Sequence, residues 1–260
     1  MDTNHYVLFE QAEAYRQQDK LEEAGLIYSK ILEDHPDHEN SLNGIRFVVY
    51  SLNPKKALKI LVELSERTQT NPCIQFRLGE LFEQLGYKKK ALQTFKNIID
   101  RQTENVEVYV RIGTIYREIG QNEHSAHYFK KAFKLDPFND RVLTNYIDAL
   151  HILNLDEEID AVVTELLKVS PDRTDTYLQI GNLYKRLVNL KMAELYFRKA
   201  LEKSPEEVTV LHKLGSTLLF QNNFMEAALV FKKAKEINPK FSPVVSGYNY
   251  ALEALVKENK

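Results

Sequence analysis

His124 and His127 stand at i and i+3 in His-Ser-Ala-His. On a helix that spacing turns both imidazoles to one side, where they could share a metal ion. A working site takes three or four convergent ligands, and nothing nearby in the sequence supplies a third, so the pair reads as a solvated helix surface. His35 and His38, on either side of Pro36, read the same way. Cys73 is the single cysteine; its neighbours Pro72 and Ile74 offer no base to activate the thiol. One cysteine also excludes an intramolecular disulfide and suits a reducing compartment. The run Lys88-Lys89-Lys90 reads as the solvated basic start of a helix. No Gly-rich phosphate loop, His-Glu-x-x-His or zinc-type cysteine pair is found. The expectation is a chain with no catalytic centre, no cofactor and no metal.

What does recur is a packing pattern. Gly79, Gly113, Gly181 and Gly215 each lie between an apolar residue and, three residues on, an aromatic or leucine, and they are spaced by 34 residues or multiples of it. Twelve residues after each comes a small residue (Ala91, Ser125, Ala193, Ala227), and four later a phenylalanine (Phe95, Phe129, Phe197, Phe231). Pro36, Pro137, Pro171, Pro205 and Pro239 close units at one phase. A fixed period of this length means stacked supersecondary units rather than a globule around one core.

The pattern resembles the tetratricopeptide repeat family, over roughly residues 5–241. The resemblance implies an all-α fold: a right-handed α-solenoid of about seven helix pairs plus a C-terminal capping helix, as one domain over 1–260. The units are 5–38, 39–71, 72–105, 106–139, 140–173, 174–207 and 208–241, with the cap at 242–260. Gly and the small residue twelve on face each other where the helices of a pair cross, and the aromatics fill larger gaps. Asp19, Asn53, Gly86, Gly120, Asn154 and Asn222 hold the left-handed turn between the helices of a unit, Val188 being the exception. Asn71, Asn105 and Asn139 are placed to cap the next helix. The second unit departs, with Arg46 at the glycine position, and the fifth, with Ile147 and Ile159 where small residues belong; an altered crossing is expected in both. In the last segment, Val245, Tyr248, Leu252 and Leu255 form the stripe expected to cover the seventh unit.

The resemblance also implies that the first helix of each unit lines a concave groove. On that face stand Tyr6, Phe9, Asn40, Asn43, Phe47, Tyr50, Phe76 and Arg77, then Arg111, Arg117, Arg141 and Asn145, then Asn182, Lys185 and Arg186. Exposed aromatics beside arginine are the material of interface hot spots. The Lys/Asn carboxylate clamp of co-chaperone members and the asparagine ladder of glycosyltransferase members are not reproduced. The leading expectation is a non-catalytic scaffold binding a partner peptide or helix. The alternatives are a targeting or substrate-recruiting region of an enzyme complex and, further off, a secretion or pilus-assembly component.

Composition narrows the partners. A net charge of −2 argues against a dedicated nucleic-acid binder. No stretch approaches the ~20 apolar residues that cross a bilayer, and Met1-Asp2-Thr3-Asn4-His5 carries no basic-then-apolar leader. A cytoplasmic protein with a protein or peptide partner is expected, with self-association through an uncapped N-terminal end as a further possibility.

Overall fold

A computed structural model of the chain describes residues 3–67, 71–101 and 104–258, and among these it holds fifteen helices and no strand. The helices follow one another in pairs: α1 (Thr3–Gln17) and α2 (Leu21–Asp34), α3 (Glu39–Ser51) and α4 (Pro54–Arg67), α5 (Pro72–Gln84) and α6 (Lys88–Ile99), α7 (Val106–Glu118) and α8 (Asn122–Leu135). Then come α9 (Asp140–Ile152) and α10 (Asp156–Val169), α11 (Thr174–Arg186) and α12 (Leu190–Lys203), α13 (Val208–Phe220) and α14 (Phe224–Ile237), and the single α15 (Ser242–Glu258). The chain divides into two compact units, Met1–Ala132 and Phe133–Lys260, the division falling within α8.

In the first unit an aromatic ring lies against each of Gly44, Gly79 and Gly113. A Cβ built on Gly79 would come within 2.6 Å of Phe95, and one on Gly113 within 2.7 Å of Phe129. Real Cβ atoms do not approach a neighbour so closely, so the glycines admit the rings that close each crossing. Ser125, buried, donates its hydroxyl to the Gly113 carbonyl at 2.8 Å, which places the small residue twelve on against its glycine as expected. Asn71 and Asn105 cap α5 and α7, accepting from Cys73 and Ile74 N–H at 2.9 and 3.3 Å and from Glu107 and Val108 N–H at 2.9 and 3.3 Å. Asp19, Gly86 and Gly120 take the left-handed turn.

One expectation for this unit is corrected. Asn53 is not among the residues with positive φ. It begins α4 instead, its side chain accepting from Lys55 N–H at 3.0 Å. The cause is Pro54 at the first helical position, since a following proline pushes its predecessor towards extended backbone. Arg46, at the glycine position of α3, points to solvent. That hairpin has Val62 where the others have the ring, so nothing demands a glycine there. Gly44 carries the close approach, with Tyr28 of α2 within 2.5 Å of where its Cβ would stand.

The second unit is built the same way. Phe197 would lie 2.5 Å from a Cβ on Gly181, and Phe231 2.8 Å from one on Gly215. Tyr184 stacks on Tyr196 at 5.6 Å, as Tyr116 stacks on Tyr128 at 5.6 Å in the first unit. Asn139 caps α9 at 3.2 and 3.3 Å. Asn154 and Asn222 turn left-handed, and so does Val188 at φ 59°, a conformation strained for a β-branched residue. Ile147 and Ile159 are both buried.

Of the expected stripe on α15, Val245, Tyr248 and Leu255 are half-buried, but the most buried line lies one residue earlier. Val244 and Ala251 are fully buried and Leu252 is exposed. Gly247 sets the register: Phe231 would lie 2.5 Å from its Cβ, so α15 turns its small residues towards α14. Residues 259 and 260 of the expected cap lie outside the described residues.

Candidate functional site

In the first unit the side chains that leave the core on α1, α3, α5 and α7 meet those of the next first helix along. Arg16 lies over the Phe47 ring at 5.1 Å and pairs with Glu13 at 2.5 Å. Glu13 also accepts from the Tyr28 hydroxyl, and the Arg16 hydrogen bond, with that of Tyr28, outweighs burial and holds its carboxyl below the usual range. Arg77 donates to the Tyr50 hydroxyl at 3.0 Å and lies over the Tyr50 and Phe76 rings at 5.8 and 5.7 Å. Glu80 bridges Arg77 at 2.5 Å and Arg111 at 2.8 Å, while Arg111 reaches Glu83 at 3.3 Å and Glu107 at 3.0 Å. Burial pushes the Glu83 carboxyl up, against the pull of Arg111. The arginines here are matched by carboxylates.

The aromatics separate into two kinds. Tyr6, Phe47 and Tyr50 are 57, 47 and 68 % exposed. Phe9 instead packs on Tyr28 and His38 at 6.0 and 5.7 Å, and Phe76 on Phe95 at 5.6 Å. Both are half-buried and belong as much to the core as to the face. Asn40 and Asn43 are exposed, and Arg117 lies over Phe129 at 5.7 Å.

In the second unit the equivalent face is formed by α9, α11 and α13. Arg186 grips Asp148 with two donors, each at 2.5 Å. Asn145 spends its amide on the Arg141 carbonyl at 2.9 Å, and Arg141 is exposed. Gln179 donates to the Phe138 carbonyl at 2.8 Å and to Asp140 at 3.1 Å, leaving its buried Oε1 without a partner. Lys185 is half-buried and lies over Phe220 at 5.3 Å. Burial, reinforced by Lys213, pulls its pKa down. Asn182, Lys185, Arg186 and Lys213 line an open pocket of about 420 Å³ with Asp140 and Gln179. Lys213 had no signal of its own in the sequence, although it occupies the repeat position of Arg77 and Arg111.

The residues that first suggested chemistry do other work. His124 and His127 are exposed, and His124 stacks on Tyr116 at 5.0 Å. His35 accepts or donates a bond to His5 at 3.3 Å. His38 caps α3, its Nδ1 accepting from the Ser41 N–H at 3.3 Å, and burial with nearby His35 and His5 lowers its pKa. Lys88 pairs with Glu118 at 2.9 Å and Lys90 lies over Phe82 and Tyr87 at 5.5 and 5.6 Å, so that run is only partly a solvated surface. Cys73 is free and exposed. Among the described residues no group of three His, Cys, Asp or Glu side chains is placed to hold a metal, and no helix is long and apolar enough to cross a membrane.

Helix hairpins closed by a ring on a glycine, repeated at one period and exposing one face of first helices, define an α-helical repeat protein made for contact. The chain belongs to the tetratricopeptide repeat family: family models of that description match residues 6–38, 106–139, 174–207 and 208–241, just over half of it. Such repeats build protein–protein interaction scaffolds. No curated protein matches the chain by sequence. Among solved structures, it is similar to the C-terminal part of a TPR repeat-containing protein from Cytophaga hutchinsonii, with a TM-score of 0.57 and 17 % identity over 92 % of this chain and 98 % of that one. A tetratricopeptide repeat protein from Parabacteroides merdae aligns at 16 % identity over 95 % of this chain and 98 % of that one, with a TM-score of 0.48.

Proposed function

We propose that this protein is a non-catalytic interaction scaffold that holds a peptide or helix of a partner protein against its first helices, with Tyr6, Phe47 and Tyr50 as anchors in the first unit. The observation that carries the reading is that these three rings stay exposed while arginine guanidiniums brace two of them. Rings braced in place lose little freedom on binding, which favours them as anchors. The charges around them are already matched, so the net attraction on this face is apolar and aromatic rather than ionic.

The test is a triple variant, Tyr6→Ala with Phe47→Ala and Tyr50→Ala, which leaves the half-buried Phe9 and Phe76 in place. Partners captured by the wild-type protein are identified by mass spectrometry and titrated as purified proteins against both forms. Helicity is expected to be unchanged by circular dichroism, with affinity reduced by a hundredfold or more, since a buried aromatic anchor contributes ~2 kcal/mol or more. Partner binding that survives the triple change at full strength removes this face from consideration.

A further inference from the structure

In the second unit the glycine position of a first helix, and the residue three after it, face the second helix of the same hairpin. Gly181 lies against Phe197, and Tyr184 stacks on Tyr196. On α15 the same two positions are Asn249 and Leu252, one repeat on from Gly215 and Leu218. Leu218 is fully buried, whereas Asn249 is exposed and Leu252 is 40 % exposed. With half-buried Val245 and exposed Val256 they form a seam at i, i+4, i+7 and i+11, the narrow stripe that one packed helix covers. Among the described residues no turn brings a helix back over it. α15 stays helical through Val256, one repeat on from Asn222, which turns left-handed. The adjoining second helix also lacks a partner. Arg198 of α12 reaches Glu226 of α14 at 2.5 Å. One repeat on, Lys232 of α14 is exposed, with no carboxylate against it among the described residues.

We infer that α15 is the open half of an eighth hairpin, a docking surface for one amphipathic helix of a partner protein lying where the second helix would be. The repeat specifies that helix. In the α9–α10 hairpin the glycine position holds Ile147, and α10 answers with Val163 in place of the phenylalanine, both buried. The α3–α4 hairpin, with Arg46 at that position, likewise has Val62. Asn249 is a third side chain at a glycine position, and a ring set against it would overpack. The occupant therefore carries a β-branched aliphatic residue there. It also carries an acid where Glu226 meets Arg198, to pair with Lys232. α10 has both features, since Glu158 stands two repeats before Glu226. A second copy of this chain cannot lend such a helix without opening a hairpin, because its second helices are already packed against their own first helices. The surface is separate from the displayed first-helix face.

The sequence of α10 supplies the probe. A labelled peptide of Asp156–Val169, stapled on its outward face because a helix of 14 residues is marginal alone, is titrated against the full chain by fluorescence anisotropy. It is expected to bind, and a scrambled peptide not to. Leu252→Asp, on an exposed residue, should weaken binding about tenfold or more, with helicity unchanged by circular dichroism. The peptide carrying Val163→Phe should bind about fivefold or more weakly, and Asn249→Gly in the protein should reverse that order by making room for the ring. The peptide carrying Glu158→Lys should lose about threefold, restored by Lys232→Glu in the protein. The triple variant lacking Tyr6, Phe47 and Tyr50 should bind the probe as the wild type does. No binding, binding that survives Leu252→Asp, or peptide preferences indifferent to Asn249→Gly and Lys232→Glu would overturn the inference. So would dimerisation of the chain alone that Leu252→Asp removes, seen by sedimentation velocity, which would give the surface to a second copy.

Discussion

The two units share a frame and differ in how their exposed charges are settled. In Met1–Ala132 the arginines of the first helices meet glutamates: Arg77 with Glu80, and Arg111 with Glu80, Glu83 and Glu107. In Phe133–Lys260 the same repeat position holds Gln179 and Lys213, and no carboxylate among the described residues pairs with Lys185 or Lys213, the Asp140 of their pocket accepting from Gln179 instead. One face is internally balanced and displays rings; the other carries surplus positive charge. The lesson is that a repeat fixes where side chains are displayed but not whether they are satisfied there.

The shared frame gives the largest expected effect. Gly113→Leu in the first unit and Gly181→Leu in the second should each destabilise by about 1–3 kcal/mol or more, because each places carbon inside a phenylalanine ring. His124→Leu, on an exposed residue, should change stability by less than about 0.5 kcal/mol. Denaturant unfolding checks all three. A large cost in one unit and none in the other would show that the frame is not shared after all.

The difference in charge gives the next. Glu80→Gln removes the carboxylate that bridges two arginines and should cost about 1 kcal/mol, a charged hydrogen-bond loss discounted for its partial exposure. Lys213→Met should be neutral or stabilising by a few tenths of a kcal/mol, since it relieves repulsion at Lys185. The same unfolding measurement, repeated at high salt, sharpens the contrast. Equal losses from both changes would mean that Lys213 has a carboxylate partner.

The smallest effect is one of pH in the first unit. The His38 cap requires a neutral Nδ1 to accept from Ser41, and its pKa is depressed in the fold. Its contribution is therefore present above the unfolded value of about 6.5 and is lost as pH falls through the lower folded value. His38→Asn keeps a capping oxygen without the titration. It should flatten the acid side of the stability profile by roughly 1 kcal/mol or less, the usual worth of a cap. His212 in the second unit is shifted in the same direction, so a residual slope is expected in the variant.

The fold was legible because packing constraints repeat. Gly79, Gly113, Gly181 and Gly215 all answer to the same ring, and any periodic reading finds them. Caps at Asn71, Asn105 and Asn139 were equally open, since one polar side chain and two N–H groups decide them locally. Asn53 was not, because its type suits a turn and only the proline after it changes the outcome. The stripe of α15 slipped by one because hydrophobicity ranks Leu252 above Gly247, whereas close approach to Phe231 ranks them the other way. The candidate site was the least legible part. Positions that build the frame agree between repeats, while positions that select a partner differ by nature, so Lys213 looked like any surface lysine. Phe9 and Phe76 showed the converse: aromatics on the displayed face whose edges are already used by Tyr28 and Phe95.

One feature of the packing reaches beyond geometry. Phe231 is enclosed on one side by Gly215 of its own hairpin and on the other by Gly247 of α15. A single ring thus contributes to the folding free energy of two successive elements. In a chain whose stability is a sum of local terms and neighbour couplings, that ring is a coupling written in one residue. Detachment of α15 uncovers one of its faces and weakens the α13–α14 hairpin in the same event, so the end of the chain unfolds as a cooperative block rather than fraying helix by helix.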